Sequence, residues 1–270
     1  MHKLDLIVFR ISVSLNALVK HFLYESYYTR IMDKLVIVIP AYRESENLLN
    51  LINSLESCIP GTPILIVDDS ADNLSVQIVN KVALKNVRIV HRKKKMGRGS
   101  AVIFAMHLLL NQKFKYLLEM DADFSHSPRE ILNLLAEAEA HNADLVIASR
   151  YVNGSEILNW PKSRRFFSKL ANTIAKFVVK VPVSDYTNGF RIYSRRAVEI
   201  VEKECGKVGD GFILLTEIIM RIDLRNLKII EVKTKFVNRA RGESSLSIKE
   251  IFSSLFGLYK ILLIKRNLPK

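Results

Sequence analysis

Between residues 35 and 148, short and nearly uninterrupted apolar runs alternate with stretches of helical spacing, and this alternation restricts the fold more than any other feature of the chain. The runs are Leu35–Pro40, Ile64–Val67, Val87–Val90, Tyr116–Met120 and Asp144–Ala148, with helical spacing over Glu46–Leu55, Ser100–Leu110 and Pro128–Ala140. Strands that are apolar on both faces belong to a parallel sheet covered by helices on both sides, an α/β fold. In such sheets ligands bind beyond the carboxyl ends of the strands, so the polar residues directly after each run are the candidate site residues. After residue 150 the alternation lapses. Gly, Pro and Asn signals over 151–190 surround a basic helix near Arg164–Val179; Phe190–Tyr193, a helix near Phe212–Arg225 and a run at Leu227–Val237 then extend the core. With no repeat or low-complexity linker, the economical organisation is one domain, 34–246, between an N-terminal amphipathic helical extension, 1–33, and a C-terminal amphipathic basic helix, 247–270.

Charge narrows the partners. The chain of 270 residues carries a formal net charge of +14, which favours polyanions such as nucleic acid, anionic lipid or phosphorylated substrates. Aromatic and basic residues do not interleave, and no helix-turn-helix or zinc signature occurs, so a nucleic-acid-binding module is not expected. Only Cys58 and Cys205 are present, which excludes a disulfide framework and fits a reducing compartment. Leu4, Ile7, Ile11, Leu15, Leu18 and Phe22 form one helical stripe; Ile248, Ile251, Phe252, Leu255, Leu258, Tyr259 and Leu262 form another, interrupted by Lys260. Both are too short in charge-free length to span a bilayer. No cleavage signal follows the first, so neither a signal peptide nor a spanning helix is expected. Each stripe either packs on the body of the protein or lies on a membrane surface.

Three strand-end segments carry the chemistry: Pro40-Ala41-Tyr42-Arg43-Glu44, Asp68-Asp69-Ser70 and Asp121-Ala122-Asp123. Carboxylates gathered at one sheet edge repel unless a cation or a hydrogen-bonding ligand sits among them. Asp121 and Asp123 are hard oxygen donors suited to Mg²⁺ or Mn²⁺ bridging phosphate; the plain alternative is a turn capping the helix near Pro128. The segment from Arg92 to Gly99 precedes a helix and is either a phosphate cradle or a solvated basic turn. Lys162, Arg164, Arg165 and Lys169 suit a phosphorylated lipid head group, or form a charged helix face.

Six blocks occur in order: Val36–Glu44, Val67–Ser70, Met120–His126, Ala148–Tyr151, Ser184–Tyr193 and Arg241–Leu246. Together they resemble the family-2 inverting glycosyltransferases, most closely the dolichol-phosphate (polyprenol-phosphate) mannosyltransferases, over roughly residues 34–250. The resemblance implies a nucleotide-diphosphosugar transferase fold (GT-A, Rossmann-like) and, for 34–246, a catalytic domain. It also implies transfer of mannose from GDP-mannose to a polyprenol (dolichol) phosphate by inverting single displacement. Transfer of glucose or another hexose, or transfer to a glycan, is the alternative. Further implied are a nucleotide-sugar donor, a polyprenyl phosphate acceptor, an Mg²⁺ or Mn²⁺ ion, and peripheral attachment to the cytoplasmic face of a membrane, directly or through a small membrane-anchoring subunit.

The same resemblance assigns residues. Pro40, Tyr42, Glu44, Val67 and Asp69 line the nucleoside pocket. Asp121, Ala122 and Asp123 contact the nucleotide-sugar; Asp121, Asp123 and Ser125 hold the ion, the Ser125 hydroxyl being the weakest donor. Arg150 and Arg239 supply positive charge to the substrate, as guanidinium does in pairs with phosphate. Asp185 borders the acceptor and the sugar, as general base or as an orienting group. Because a phosphate monoester is already anionic, its second pKa being ~6, the orienting role is favoured. Gly189 permits a tight backbone, and Arg191 binds phosphate or braces Asp185. Relatives carry Lys where this chain has Ser245, which leaves a charge missing at the diphosphate unless Arg241 replaces it.

Overall fold

The computed structural model describes residues 34–209, 211–238 and 248–267, the side chains of 248–255 excepted. Strands β1 (Leu35–Ala41), β2 (Ile64–Asp68), β3 (Val87–His91), β4 (Tyr116–Glu119), β5 (Leu145–Ser149), β7 (Arg191–Ser194) and β8 (Ile229–Lys233) form one sheet in the order β3-β2-β1-β4-β7-β5-β8. All its pairings are parallel except those of β7, which runs antiparallel to both β4 and β5. Strands β6 (Glu156–Leu158) and β9 (Lys235–Val237) make a separate parallel pair. The run at Leu227–Val237 thus divides between two sheets.

The apolar runs become strands because both faces are buried. Leu35, Ile37 and Ile39 pack with Leu48, Leu51, Ile52 and Leu55 of helix α1 (Ser45–Cys58). Val36 and Val38 point the other way, into the layer of Ala101, Val102, Ala105 and Met106 on α3 (Arg98–Leu109). Helices α2 (Leu74–Val82) and α4 (Ile131–His141) share the first layer, and α5 (Lys162–Val179), α6 (Arg195–Glu204) and α7 (Ile213–Leu224) the second. The expected parallel sheet with helices on both faces is therefore present, with β7 as the antiparallel exception.

Of the two terminal stripes, residues 1–33 lie outside the described residues. The C-terminal stripe is helix α8 (Ile248–Arg266). Its Ile261 is fully buried in the core, while Phe256, Tyr259, Leu262 and Leu263 remain exposed. Packing on the body and an exposed apolar face thus coexist on one helix.

One buried carboxyl lies outside any site chemistry. Glu217 on α7 is 0% exposed, and its Oε2 accepts the Gly206 amide at 2.9 Å. Burial raises the Glu217 carboxyl above its ordinary value, against the pull of the Gly206 amide and Arg221. A folded-state pKa above the unfolded one means that the folded chain holds the proton more tightly. The stability this confers is complete below the unfolded value and is lost as pH rises through the folded one. Glu217→Gln keeps an acceptor for Gly206 and removes the charge. It is expected to gain on the order of 1 kcal/mol at pH 7.5, about 2–4 °C in melting temperature, and nothing at pH 4. Thermal unfolding at both pH values checks this; an equal or lower melting temperature for the variant at pH 7.5 contradicts it.

Candidate active site

The carboxyl ends of β1, β2 and β4 bring the three segments to one edge, where Ala41 pairs with Asp68 and Met120 donates to the Val38 carbonyl. Because β7 is antiparallel, its beginning, Asn188-Gly189-Phe190, reaches this same edge beside β4 and β5. The chain leaves two of the strands through left-handed residues, Arg43 (φ 59°) and Phe124 (φ 59°). Such a conformation costs roughly 1–2 kcal/mol for a residue with a Cβ, and here it turns the backbone sharply beside Tyr42 and Asp123.

On the β1–β2 side, Pro40 and Val67 are buried within their strands, whereas Tyr42 and Glu44 are half-buried at the rim. The Lys95 ammonium lies 4.7 Å from the Tyr42 ring centre. Glu44 accepts from Asn47 Nδ2 at 2.6 Å. Asp69 is held by the Arg92 guanidinium in two hydrogen bonds, 2.6 and 2.8 Å, and by the Met96 amide at 2.8 Å. The basic segment after β3 is therefore part of the site wall, with Arg92 as its anchor.

At the end of β4, Ala122 is buried while Asp121 and Asp123 are half-buried. Asp123 Oδ1 accepts the Ser125 amide at 3.0 Å, a local turn, and the Ser125 carbonyl accepts from Val237. Asp121 Oδ1 accepts from Arg98 Nε at 2.8 Å. Among the described residues no three His, Cys, Asp or Glu side chains gather as a closed metal cage. Two carboxylates on an open, partly exposed edge would fit a hard divalent cation, which takes oxygen donors and keeps part of its water shell. The buried Ser125 stands beside this pair. Its neighbour His126 is walled in by Phe190 and Phe236 and bonds Asn188 at 2.8 Å.

Arg150 is 8% exposed, and its charge is spent inside the protein. Its Nε and Nη2 donate to the two oxygens of Asp185 at 2.8 Å each, and Nη2 also reaches Thr187 Oγ1 at 2.8 Å. The rings of Tyr151, Trp160 and Phe236 surround the guanidinium at 5.3–5.6 Å. Asp185 additionally accepts the amides of Arg150, Thr187 and Asn188. Burial alone would raise the Asp185 carboxyl, but the charge and hydrogen bonds of Arg150 and the surrounding amides hold it below the ordinary carboxylate value. Such a group is a poor proton acceptor and a good brace. Arg191 is fully buried and donates to the carbonyls of Tyr186, Asn188 and Leu215, fixing the same loop without contacting Asp185.

Beside Arg150 opens a cavity of about 520 Å³ lined by Tyr151, Asn153, Ser155, Arg165 and Lys169 among others. Arg165 and Lys169 thus line the same cavity as Arg150. Arg239, Arg241 and Ser245 lie outside the described residues.

Arg92 and Arg98 lie in the segment the sequence offered as a phosphate cradle or basic turn, but their carboxylate partners do not follow from it; Glu119 and Tyr193 escape sequence reasoning as site residues. Glu119 carries the one usable signal, as a charge inside the otherwise apolar run Tyr116–Met120. A carboxylate on a strand buried on both faces requires a cationic or donor partner, and the structure supplies Arg98 at 2.5 Å and the Tyr193 hydroxyl at 2.6 Å.

A family model described as Glycosyl transferase family 2 matches residues 36–201. The chain is 33% identical over 227 residues to the polyprenol monophosphomannose synthase of Mycolicibacterium smegmatis, covering 83% of this chain and 85% of that one. Over 216 residues it is 30% identical to the undecaprenyl-phosphate mannosyltransferase of Micrococcus luteus, covering 79% and 88%. With the dolichol-phosphate mannosyltransferase of Pyrococcus furiosus it shares 33% over 234 residues, 85% of this chain and 64% of that one. Among solved structures, glucosyl-3-phosphoglycerate synthase from Mycobacterium tuberculosis in complex with UDP superposes with a TM-score of 0.61 at 14% identity, covering 88% of this chain and 82% of that one. At that identity the likeness is one of fold.

Proposed function

The chain belongs to glycosyl transferase family 2, and from that membership we propose that it transfers mannose from GDP-mannose to a polyprenyl phosphate at the cytoplasmic face of a membrane. What supports this most is the similarity, along 83% of the chain, to an enzyme named for polyprenol phosphate mannosylation. The GT-A fold and the carboxylate edge agree with it.

In this reading the nucleoside lies against Tyr42 and Glu44 over the backbone of Pro40 and Val67, with the Asp69–Arg92 pair as the wall. The diphosphate lies over Asp121 and Asp123, which, with Ser125 adjacent, are the residues that would hold Mg²⁺ or Mn²⁺. The ion, when bound, supplies the positive charge that neutralises the departing diphosphate. The acceptor phosphate enters from the cavity, where Arg165 and Lys169 offset its charge. One of its oxygens attacks the anomeric carbon as the bond from that carbon to the diphosphate oxygen breaks, and GDP leaves with the electron pair. The acceptor is already an anion at neutral pH, its second pKa being ~6, so no protein base is required. Asp185 serves by holding Arg150 and the loop that shapes the sugar pocket. The test is incubation with several radiolabelled nucleotide-sugars and a short polyprenyl phosphate. GDP-mannose is expected to label the organic phase at least ten-fold faster than UDP-glucose; the reverse order would transfer the assignment to glucosylation.

Membrane contact rests on a surface formed by α5 and α8, which pack together. Helix α5 exposes Phe166 (63%), Phe167 (64%) and Phe177 (79%) among Lys162, Arg165, Lys169 and Lys176. Phe256, Tyr259 and Leu262 of α8 are exposed as well, with Lys265 and Arg266 in its last turn. No helix of the described residues is long and apolar enough to cross a membrane. Exposed aromatic rings flanked by lysine and arginine match an anionic lipid surface, where rings enter the interface and cations meet head groups. The double variant Phe166→Ser/Phe177→Ser is expected to bind phosphatidylglycerol vesicles at least ten-fold less in a flotation assay, since burying a single Phe contributes about 1.5–3 kcal/mol. Equal flotation of variant and wild type contradicts this surface.

A further inference from the structure

Arg98 stands at the first turn of α3, and its guanidinium is the meeting point of three elements. Nε donates to Asp121 Oδ1 at 2.8 Å, Nη1 to Glu119 Oε1 at 2.5 Å and Nη2 to the Gly189 carbonyl at 3.3 Å. Glu119 is 0% exposed, and its other oxygen takes the Tyr193 hydroxyl at 2.6 Å. Gly189 shows how closely the guanidinium is seated: a Cβ there would lie 1.9 Å from Arg98 Nη2 and 2.7 Å from its Cζ. The glycine is needed for that approach, rather than for the backbone freedom its loop suggests. Arg98 and Glu119 cancel in charge, so the cluster keeps the single negative charge of Asp121, with one oxygen fixed and the carboxylate still 30% exposed.

We propose that Arg98, held by Glu119, Tyr193 and the space at Gly189, is a positioning residue for Asp121: it ties Oδ1 and so fixes the orientation in which the carboxylate would offer its other oxygen to a divalent ion. This rests on the reading of Asp121 and Asp123 as the ion-holding pair. The two oxygens of a carboxylate are equivalent until one is tied, and the rotor then has one orientation to offer a cation. Groups that orient a metal ligand from behind typically alter metal affinity by 10–100-fold when removed. A planar fork reaching two carboxylates and a carbonyl at once suits guanidinium and not ammonium.

The experiment measures Mn²⁺ binding in the presence of GDP by the electron paramagnetic resonance signal of free Mn²⁺, alongside steady-state kinetics. The variant Arg98→Leu/Glu119→Gln removes one charge of each sign and keeps an acceptor for Tyr193. It is expected to weaken GDP-dependent Mn²⁺ binding about ten-fold and to lower kcat, with the acceptor KM unchanged. Gly189→Ala, which displaces the guanidinium without touching a charge, should do the same, and decides the matter if the double variant does not fold. Arg98→Lys should recover only part of the Mn²⁺ affinity. A folded variant, double or glycine, that binds Mn²⁺ and GDP within two-fold of wild type overturns the positioning role. Wild type that shows no GDP-dependent Mn²⁺ binding overturns the ion-holding reading itself, and the positioning role with it.

Discussion

Asp123→Ala is expected to lower the rate of mannose transfer at saturating substrates by about 10²–10³-fold, the cost of losing one group aimed at charge that develops in the transition state. Asp123 stands past the end of β4, half-buried at the open edge. Its Oδ1 is used locally by the Ser125 amide, so truncation leaves the sheet beneath intact. The loss should therefore appear in turnover, with the circular dichroism spectrum and melting temperature close to wild type. Initial rates at saturating GDP-mannose, with excess Mn²⁺ or Mg²⁺, measure it. A variant within ten-fold of wild type would remove Asp123 from the reaction.

The second large effect is in stability. Asp185→Asn keeps the shape of the side chain but leaves the Arg150 guanidinium, enclosed by Tyr151, Trp160 and Phe236, without its counter-charge. Breaking a buried pair from one side typically costs 3–5 kcal/mol, which for a domain of this size is about 10 °C in melting temperature. Asp185 can take two parts in catalysis, and this variant separates them. A brace loses stability first and activity in proportion to the unfolded fraction. A general base would lose the same stability, since the pair is broken either way, and would in addition lose turnover in the folded protein far beyond what the unfolded fraction accounts for. Thermal unfolding and turnover measured on one preparation distinguish the two.

Much of the frame was legible in the sequence, for a physical reason. Strands buried on both faces read as continuous apolar runs, so β1 to β5 fall within a residue or so of where their hydrophobicity places them. Their ends then pointed to Asp69, Asp121 and Asp123, because a parallel sheet aligns those ends at one edge. Strand β7 was harder. Phe190–Tyr193, three large side chains around Arg191, carries no sign of the direction in which it runs, and its antiparallel insertion between β4 and β5 follows from tertiary pairing. Helix α6 was missed because Arg195–Glu204 is mostly charged and shows the core only Ala197, Val198 and Val201.

Within the site, residue types were legible and partners were not. Arg150 reads as a cation available to substrate, yet it is committed to Asp185, 35 residues away. Asp69 reads as a ligand for the nucleoside, and its oxygens are shared with Arg92, 23 residues on. Gly189 reads as a conformational device and is instead the space that admits Arg98. Each of these pairings is set by which strands become neighbours, information that local spacing does not carry.

The central claim is single displacement of GDP by a lipid phosphate at the anomeric carbon of mannose. Its most direct test is the configuration of the product. Purified protein, GDP-mannose and a short polyprenyl phosphate are incubated with Mg²⁺ or Mn²⁺, and the lipid product is read by nuclear magnetic resonance. The account predicts one product, mannosyl phosphate with the β configuration, inverted from the α-linked donor. A product that retains the α configuration, or the absence of any lipid-borne mannose from folded protein, would contradict it.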